Sequence, residues 1–280
     1  MPRKFESLFI RYKDQNPKTA FAFFQYPAGE TWEKPFEELA RLAKPEQWGF
    51  ERSEFKEQKY SNQRFPILTN YLNYTFLRAQ ELGLIAYSED EDKACFNTGL
   101  LTPEEKEIFA TFFANKQCEE KKQCPWTFYT FAESYSHKLE HFSNRPKINS
   151  YVTDPSALVF DTSLELDVNY EHIIQKNSDR LPIQIQDHPR LALTSIKGAV
   201  ESLRDKVARN YKLAIPHWYE NRIQLLLPLH LTSDIQADLA LVVDKDKSRG
   251  MYLARTVLTM DMAYIDARLI TRPDRDWLNP

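Results

Sequence analysis

The sequence predicts an α+β protein whose C-terminal half has a mixed β-sheet as its core. The main observation is that residues 222–270 contain apolar runs with only short polar interruptions, RIQLLLPLHL, ADLALVVDKD and MYLARTVLTM. Runs of this kind, rich in Leu, Val and Ile, are typical of strands that are buried on both faces. The N-terminal half shows helical spacing instead. We therefore expect a helical part at residues 1–150 and a sheet-containing part at residues 151–280, joined in one compact body.

The composition is that of an ordered protein, because 42% of the residues are hydrophobic, 13% are aromatic and only 6 are glycine. The net charge of -3 argues against a protein that coats nucleic acid through bulk electrostatics, although it leaves room for a local basic groove. Three cysteines without an apolar leader segment predict reduced thiols and a cytoplasmic location. No apolar run is long enough to predict a membrane span.

The first half is expected to contain helices and one hairpin. Residues 32–42 and 66–82 have apolar side chains at helical spacing, and Gly83 follows the second segment where a helix C-cap is favoured. Residues 84–101 hold two apolar runs around the acidic SEDED, which predicts a β-hairpin. A helix followed by a hairpin is also the arrangement of a winged helix. A purely structural role is favoured, because Arg78 is the single basic residue of the helix and the hairpin tip is acidic.

Two further helices are predicted before the C-terminal half. Thr102, Pro103 and Glu105 form the pattern of a capped helix start ahead of EIFATFFAN. Residues 134–142 are also expected to be helical. Residues 157–168 alternate between apolar and polar side chains, which predicts one or two strands.

The second half begins with a long helix predicted at residues 189–210, where apolar residues recur at intervals of four, three and four. Residues 211–215 are expected to return as a strand. After the three apolar runs the pattern changes at Thr259 from strand to helix, and Pro273 is expected to end this terminal helix.

Two cysteines and two histidines have a spacing close to that of a zinc finger. They are Cys118, Cys124, His137 and His141, with five, twelve and three residues between them. Phe128 stands where such a finger keeps an aromatic residue, but the first interval exceeds the usual range of roughly two to four residues, and Ser134 replaces the expected leucine. Ordinary thiols and surface histidines are the favoured interpretation, with zinc as the alternative, and no cofactor is predicted.

Motifs for the common phosphate-binding and hydrolytic sites are absent from the sequence. Neither a glycine-rich phosphate loop nor a dinucleotide fingerprint is present, and nothing resembles a Ser-His-Asp arrangement. His172 is the candidate general base, because it stands beside apolar residues and within reach of Asn169 if the segment is helical. A satisfied structural histidine is the alternative interpretation.

Six polar residues interrupt the apolar segments of the C-terminal half, namely Lys212, Gln224, Arg255, Asp261, Asp266 and Arg268. Each needs a partner if it is buried, so structural ion pairs are one interpretation. The functional interpretation is a cationic pocket formed by the sheet and the terminal helix. Lys212, Arg255 and Arg268 would hold phosphate groups. Asp261 would orient these cations, and Tyr264 would stack on a base.

Six motifs resemble the family of domains of unknown function called DUF3825. They are FNTGL at 96–100, NYEHIIQKNSDRLP at 169–182, KGAVES at 197–202, NYKLAIP at 210–216, QLLLPLHL at 224–231 and LTMDMAYIDARLI at 258–270. The resemblance covers most of the chain in the right order. It implies work on RNA or a nucleotide, since the domain occurs alongside OST-type helix-turn-helix and other RNA-associated modules. The resemblance implies that the polar residues of these motifs are the candidate site residues. They are Asn97, Thr98, Asn169, His172, Asn177, Arg180, Lys197, Asn210, Lys212, Gln224, Asp261, Tyr264 and Arg268.

The expected function is therefore binding of RNA or a nucleotide in that pocket, with an RNA-processing reaction left open. The alternative is a non-catalytic interaction module of an RNA-associated or defence complex, in which the same residues form a rigid buried network. The sequence leaves the substrate and the oligomeric state open.

These hypotheses predict the positions of two sets of residues. Gly99 is expected to adopt a backbone conformation closed to other residues, which would turn Asn97 and Thr98 toward the pocket. Lys212 and Arg268 are expected to face one site, where Asp261 or a bound phosphate would relieve their repulsion.

Overall fold

The computed structural model describes residues 4–11, 14–50, 63–233 and 235–272. The chain divides into two compact units, Met1–Ser150 and Tyr151–Pro280. Within the described residues there are seven α-helices and two mixed sheets, so the predicted α+β class is confirmed. None of the described helices combines the length and the apolar character needed to cross a membrane.

The first unit is built on a six-stranded sheet. Its strands are β1 (Ser7–Phe9), β2 (Ala20–Phe23), β3 (Ala86–Tyr87), β4 (Lys93–Leu101), β5 (Glu107–Ala114) and β6 (Trp126–Glu133), and its helices are α1 (Lys34–Leu42), α2 (Pro66–Leu82) and α3 (Cys118–Lys121). The strand order is β1-β2-β6-β5-β4-β3. The contacts of β2 with β1 and with β6 are parallel, and the others are antiparallel.

The predicted helices α1 and α2 and the hairpin of β3 and β4 are confirmed. Helix α2 ends at Gly83, whose φ of 65° is the left-handed conformation expected of a C-cap glycine. The core between the helices and the sheet consists largely of aromatic rings. Phe21 lies 4.8 Å from Phe76 and 5.1 Å from Phe112 between ring centroids, distances at which edge and stacked contacts add to the burial of apolar surface. The hairpin is the edge of this six-stranded sheet rather than a separate wing.

The prediction of a helix after Thr102 is wrong. Residues 102–106 form a tight turn. The Thr102 backbone N–H donates to the Lys106 carbonyl, and the Lys106 backbone N–H donates to the Thr102 hydroxyl oxygen. Strand β5 follows directly. A pattern that is typical of a helix start here joins two strands, because β5 is a central strand with apolar residues on both faces. The helix expected at 134–142 is reduced to a single 3-10 turn, His137–Leu139, and the strand β6 before it was not predicted.

The second unit is built on a five-stranded sheet. Its strands are β7 (Glu165–Val168), β8 (Ile215–Tyr219), β9 (Arg222–Leu229), β10 (Leu239–Asp246) and β11 (Met251–Leu258), and its helices are α4 (Tyr170–Lys176), α5 (Ile183–Gln186), α6 (Pro189–Arg209) and α7 (Met260–Ala267). The strand order is β7-β11-β10-β9-β8. Only the contact of β7 with β11 is parallel.

The strands predicted at residues 222–270 are confirmed as β9, β10 and β11, followed by α7. Burial on both faces holds for most of β9 and β10, whereas β11 alternates between buried and partly exposed side chains, so that part of the prediction is wrong for β11. Helix α6 packs against one face of β9, where Leu225 and Leu227 belong to the same apolar core as Ile196 and Val200. Helix α7 packs against β8, β10 and β11. The expected end of this helix at Pro273 lies outside the described residues.

The strand predicted at residues 211–215 is wrong. Tyr211–Leu213 is a 3-10 turn, and β8 begins only at Ile215. Asn210 caps this turn by accepting a hydrogen bond from the Lys212 backbone N–H at 3.1 Å. Asn and Asp side chains favour such turns over strands because they hydrogen-bond to nearby backbone groups.

Candidate functional site

A cleft of about 390 Å³ opens in the second unit beside β7, β11, α4 and α6. Its polar lining consists of Asp167, Asn169, Tyr170, Glu171, Lys197 and Arg255. Its volume is in the range of small-molecule sites. Two of the residues predicted as ligand-binding, Asn169 and Lys197, are therefore brought together here with Arg255 of the predicted cationic set.

The parallel contact between β7 and β11 builds one wall of the cleft. Val168 lies opposite Ala254 in the register, and the Asn169 backbone N–H donates to the Ala254 carbonyl at 2.9 Å. The Asn169 side chain then accepts from the His172 backbone N–H at 3.0 Å, which caps the start of α4. Asn169 is thus a structural cap at the edge of the cleft, and it fixes where Tyr170 begins the helix.

Arg255 reaches the cleft because of an irregularity in β11. Val243 pairs with Ala254 and Val242 pairs with Thr256, so Arg255 has no register partner on β10. Such bulges redirect side chains and are frequent next to functional sites. The side chain of Arg255 is exposed, and it lines the cleft from the strand side.

Lys197 and Tyr170 meet across the cleft from α6 and α4. The Lys197 ammonium lies 5.4 Å from the centroid of the Tyr170 ring, within the range of a cation–π contact. Burial raises the pKa of the Tyr170 hydroxyl, Arg204 opposes this shift, and Asp167 adds to it. Tyr170 therefore stays protonated at neutral pH and presents both a ring face and a hydroxyl donor.

The side chains of four predicted site residues form hydrogen bonds that hold the fold together. The Arg180 guanidinium donates to the Val257 carbonyl at 2.6 Å, and the Asn177 side-chain oxygen accepts from the Thr256 hydroxyl at 3.1 Å. Both contacts tie the segment after α4 to β11. In the first unit, Asn97 donates to a Glu107 carboxylate oxygen at 2.8 Å, and Thr98 donates to the Ile108 carbonyl at 2.7 Å.

Gly99 has the conformation that the sequence predicts, with a φ of 76°. The Gly99 backbone N–H donates to the Asn97 side-chain oxygen at 2.9 Å, which closes a local turn within β4. A Cβ atom at this position would lie 2.6 Å from the Tyr71 hydroxyl oxygen. The glycine is therefore required both by its backbone angle and by the approach of Tyr71.

A second group of polar residues lies beneath α7. His217 of β8 is 2% exposed and is paired in register with Gln224 of β9, which is 8% exposed. The His217 Nδ1 atom lies 3.9 Å from a carboxylate oxygen of Asp266. Among the described residues, neither ring nitrogen of His217 has a hydrogen-bond partner of good geometry.

Burial sets the protonation of this pair. It lowers the pKa of His217 to about 4, an effect that Gln224 partly opposes, and it raises the pKa of Asp266 to about 7. The predicted residues Asp261 and Tyr264 are also buried in α7. Gln224 and Asp266 stood out in the sequence as polar interruptions, but His217 did not, because it directly follows the NYKLAIP motif and belongs to none of the six motifs.

The remaining predicted residues are spread over the surface. Lys212 is exposed in the turn before β8, Arg268 is half-buried directly after α7, and His172 is exposed on α4 outside the lining of the cleft. The convergence of Lys212 and Arg268 on one site stays a prediction.

The candidate zinc ligands are separated by the fold of the first unit. Cys118 begins α3, while Cys124 is buried just before β6 and its pKa is raised to about 11 by burial. His137 and His141 are exposed. Within the part of the chain that the structure describes, no three potential metal ligands come together.

Comparison with known proteins identifies a family. No curated protein and no solved structure matches the chain. A family model, described as Domain of unknown function (DUF3825), matches residues 39–277. This range contains the cleft, the residues beneath α7 and the Gly99 turn. The chain therefore belongs to the DUF3825 family of domains of unknown function.

Proposed function

We propose that the second unit binds a nucleotide, free or as part of RNA, in the cleft beside α4, α6 and β11. The observation that carries the proposal is that Lys197 and Arg255, which are distant in sequence, line one cavity together with the Tyr170 ring. Cationic side chains bind phosphate groups through charge-assisted hydrogen bonds, and aromatic rings stack on bases.

The acidic residues of the cleft favour a ligand that has hydrogen-bond donors in addition to an anionic group. Asp167 and Glu171 balance the two cations, so the cleft favours a molecule with hydroxyl or amino groups over inorganic phosphate. Arg255 offers a planar set of donors that matches two phosphate oxygens at once. A nucleotide satisfies these requirements because its phosphate, ribose hydroxyls and base are joined in one ligand.

The site supports binding more directly than a reaction. His172, the candidate base, has an exposed side chain outside the cleft lining. An RNA-processing activity would therefore need a proton acceptor other than His172.

A non-catalytic interaction module is the second candidate. It is favoured by the structural hydrogen bonds of Asn97, Thr98, Asn177 and Arg180, which make the motif residues a rigid framework rather than a set of free ligand contacts. In this case the cleft would be a by-product of the fold.

The variants Lys197→Ala and Arg255→Ala should each weaken nucleotide binding by roughly tenfold or more, because each removes a charged hydrogen-bond donor worth about 1.5–3 kcal/mol. Titration calorimetry with the four ribonucleoside monophosphates, and with a short RNA, measures this. Both side chains are exposed, so the melting temperature of the free protein should change little.

Lys176→Ala is the matched control, because this lysine is exposed on α4 but does not line the cleft. Lys212→Ala separates the cleft from a pocket between the sheet and the terminal helix, because this variant should weaken binding only if the ligand occupies that pocket. Wild-type affinity in both cleft variants would reject the site. A wild-type protein that binds none of these ligands would favour the interaction module.

A further inference from the structure

The six-stranded sheet of the first unit has one face that is only partly covered. Helices α1 and α2 pack against one side, where Phe112 contacts Phe96 and Phe128. Side chains alternate along a strand, so Phe109 and Phe113 of β5 belong to the opposite side. Phe109 is fully buried, whereas Phe113 is 39% exposed. We call this second side the outer face.

Two exposed aromatic rings lie side by side on the outer face. Tyr129 of β6 is 50% exposed, and its ring centroid lies 4.6 Å from that of Phe113 on the neighbouring strand β5. We call these two residues the aromatic pair.

A basic segment covers the part of the outer face around Phe109. Residues 136–147 follow β6, and their Leu139 and Phe142 pack in one buried cluster with Phe109. The segment carries three cations, Lys138, Arg145 and Lys147, against one carboxylate, Glu140. This excess of positive charge contrasts with the net charge of -3 for the whole chain.

The basic segment contacts Tyr129 of the aromatic pair and a further exposed ring, Tyr135. The Lys138 ammonium lies 5.4 Å from the centroid of the Tyr129 ring, and the Arg145 guanidinium lies 5.9 Å from that of Tyr135. Aromatic platforms flanked by cations are the arrangement with which proteins hold single strands, because every base has a ring face and every nucleotide has a phosphate.

We propose that the outer face binds single-stranded nucleic acid. Bases stack on Phe113 and Tyr129, and phosphates lie along the basic segment that contains Lys138 and Arg145. Stacking tolerates any base, so the surface discriminates single strands from duplexes more than it discriminates sequences. The cations separate this partner from a neutral oligosaccharide, which also stacks on aromatic rings but gains nothing from a positive charge.

The test uses the full chain and a fluorescein-labelled oligouridylate of about twelve nucleotides, followed by fluorescence anisotropy at about 50 and 200 mM salt. Tyr129→Leu keeps an apolar contact with Phe113 but removes the ring, and it should weaken binding by roughly 5-fold to 100-fold. Tyr129→Phe should retain the affinity. Lys138→Gln should weaken binding and make it less dependent on salt, because one phosphate contact is lost.

Tyr211→Ala is the matched control, since this tyrosine is 63% exposed but belongs to the second unit. The same measurements in a Lys197→Ala, Arg255→Ala background remove the contribution of the cleft, so that failure of the two sites can be told apart. A labelled duplex and a neutral oligosaccharide serve as competitors. Wild-type affinity in Tyr129→Leu, equal affinity for duplex and single strand, or displacement by the oligosaccharide overturns the proposal.

Discussion

Gly99→Val is expected to lower the free energy of unfolding of the first unit by about 3 kcal/mol or more. The backbone φ of 76° is costly for any residue with a Cβ atom, by about 1–2 kcal/mol, and more so for a β-branched one. The new Cβ atom would also lie 2.6 Å from the Tyr71 hydroxyl oxygen, in a buried region where overpacking costs about 1–3 kcal/mol. Urea unfolding, followed by circular dichroism, measures the loss.

Gly250→Val is the control that separates the two contributions. Gly250 has a φ of 63°, but nothing lies within 4 Å of its Cβ position. This variant should therefore show the backbone cost alone, in the transition of the second unit. Equal losses in the two variants would contradict the collision with Tyr71.

Asp266→Asn is expected to stabilise the second unit at pH 8. The pKa of Asp266 in the folded protein is raised to about 7 from its ordinary 3.8, so the stability that this group contributes is present below pH 3.8 and is lost as the pH rises through 7. At pH 8 the folded protein therefore contains a carboxylate that burial disfavours. Asparagine removes this charge, for a gain on the order of 3 kcal/mol, which allows for the 27% of the side-chain surface that stays exposed.

His217 gives the opposite dependence on pH. Its pKa is lowered to about 4 in the folded protein from the ordinary 6.5, so its contribution is present above pH 6.5 and is lost as the pH falls through 4. Between these values the effects of His217 and Asp266 oppose each other. Asp266→Asn should therefore lose stability on acidification over this range, and His217→Phe should lose stability as the pH rises.

Melting temperatures of the wild type and both variants across pH 4 to 8 test these expectations. The melting temperature of the wild type should vary least between pH 4 and 6.5. An Asp266→Asn variant that is no more stable than the wild type at pH 8 would show that the carboxylate is better solvated than its pKa implies.

Long periodic segments were predictable from the sequence. Helices α2 and α6 have enough turns for their apolar spacing to be unambiguous, and the segments of β9, β10 and β11 are largely apolar and separated by polar turns. The strand β5 was not predictable in the same way. Its sequence EIFATFFA is short and apolar on both faces, so its period does not distinguish a strand from a buried helix, and the preceding Thr-Pro-Glu-Glu pattern favoured the wrong choice.

The sequence indicated some of the residues that line the cleft but not that they lie together. Lys197 and Arg255 were both noted as polar residues of the C-terminal half, but nothing in their spacing shows that they share a cavity. Their meeting depends on the parallel contact of β7 with β11 and on the bulge at Arg255, which are properties of the register. The environment of His217 was not predictable either, because it depends on helix α7, which places Asp266 next to the histidine.

The position of β7 in its sheet has a consequence for the order of folding. Strands β8 to β11 are each joined to the next by a short connection and pair with it, so they can form by successive local steps. Strand β7 precedes all of them, yet its neighbour in the sheet is β11, the last to be synthesised. We therefore expect the wall of the cleft to be completed only after strands β8 to β11 have paired, and as a short edge strand β7 should be the first to detach from the sheet.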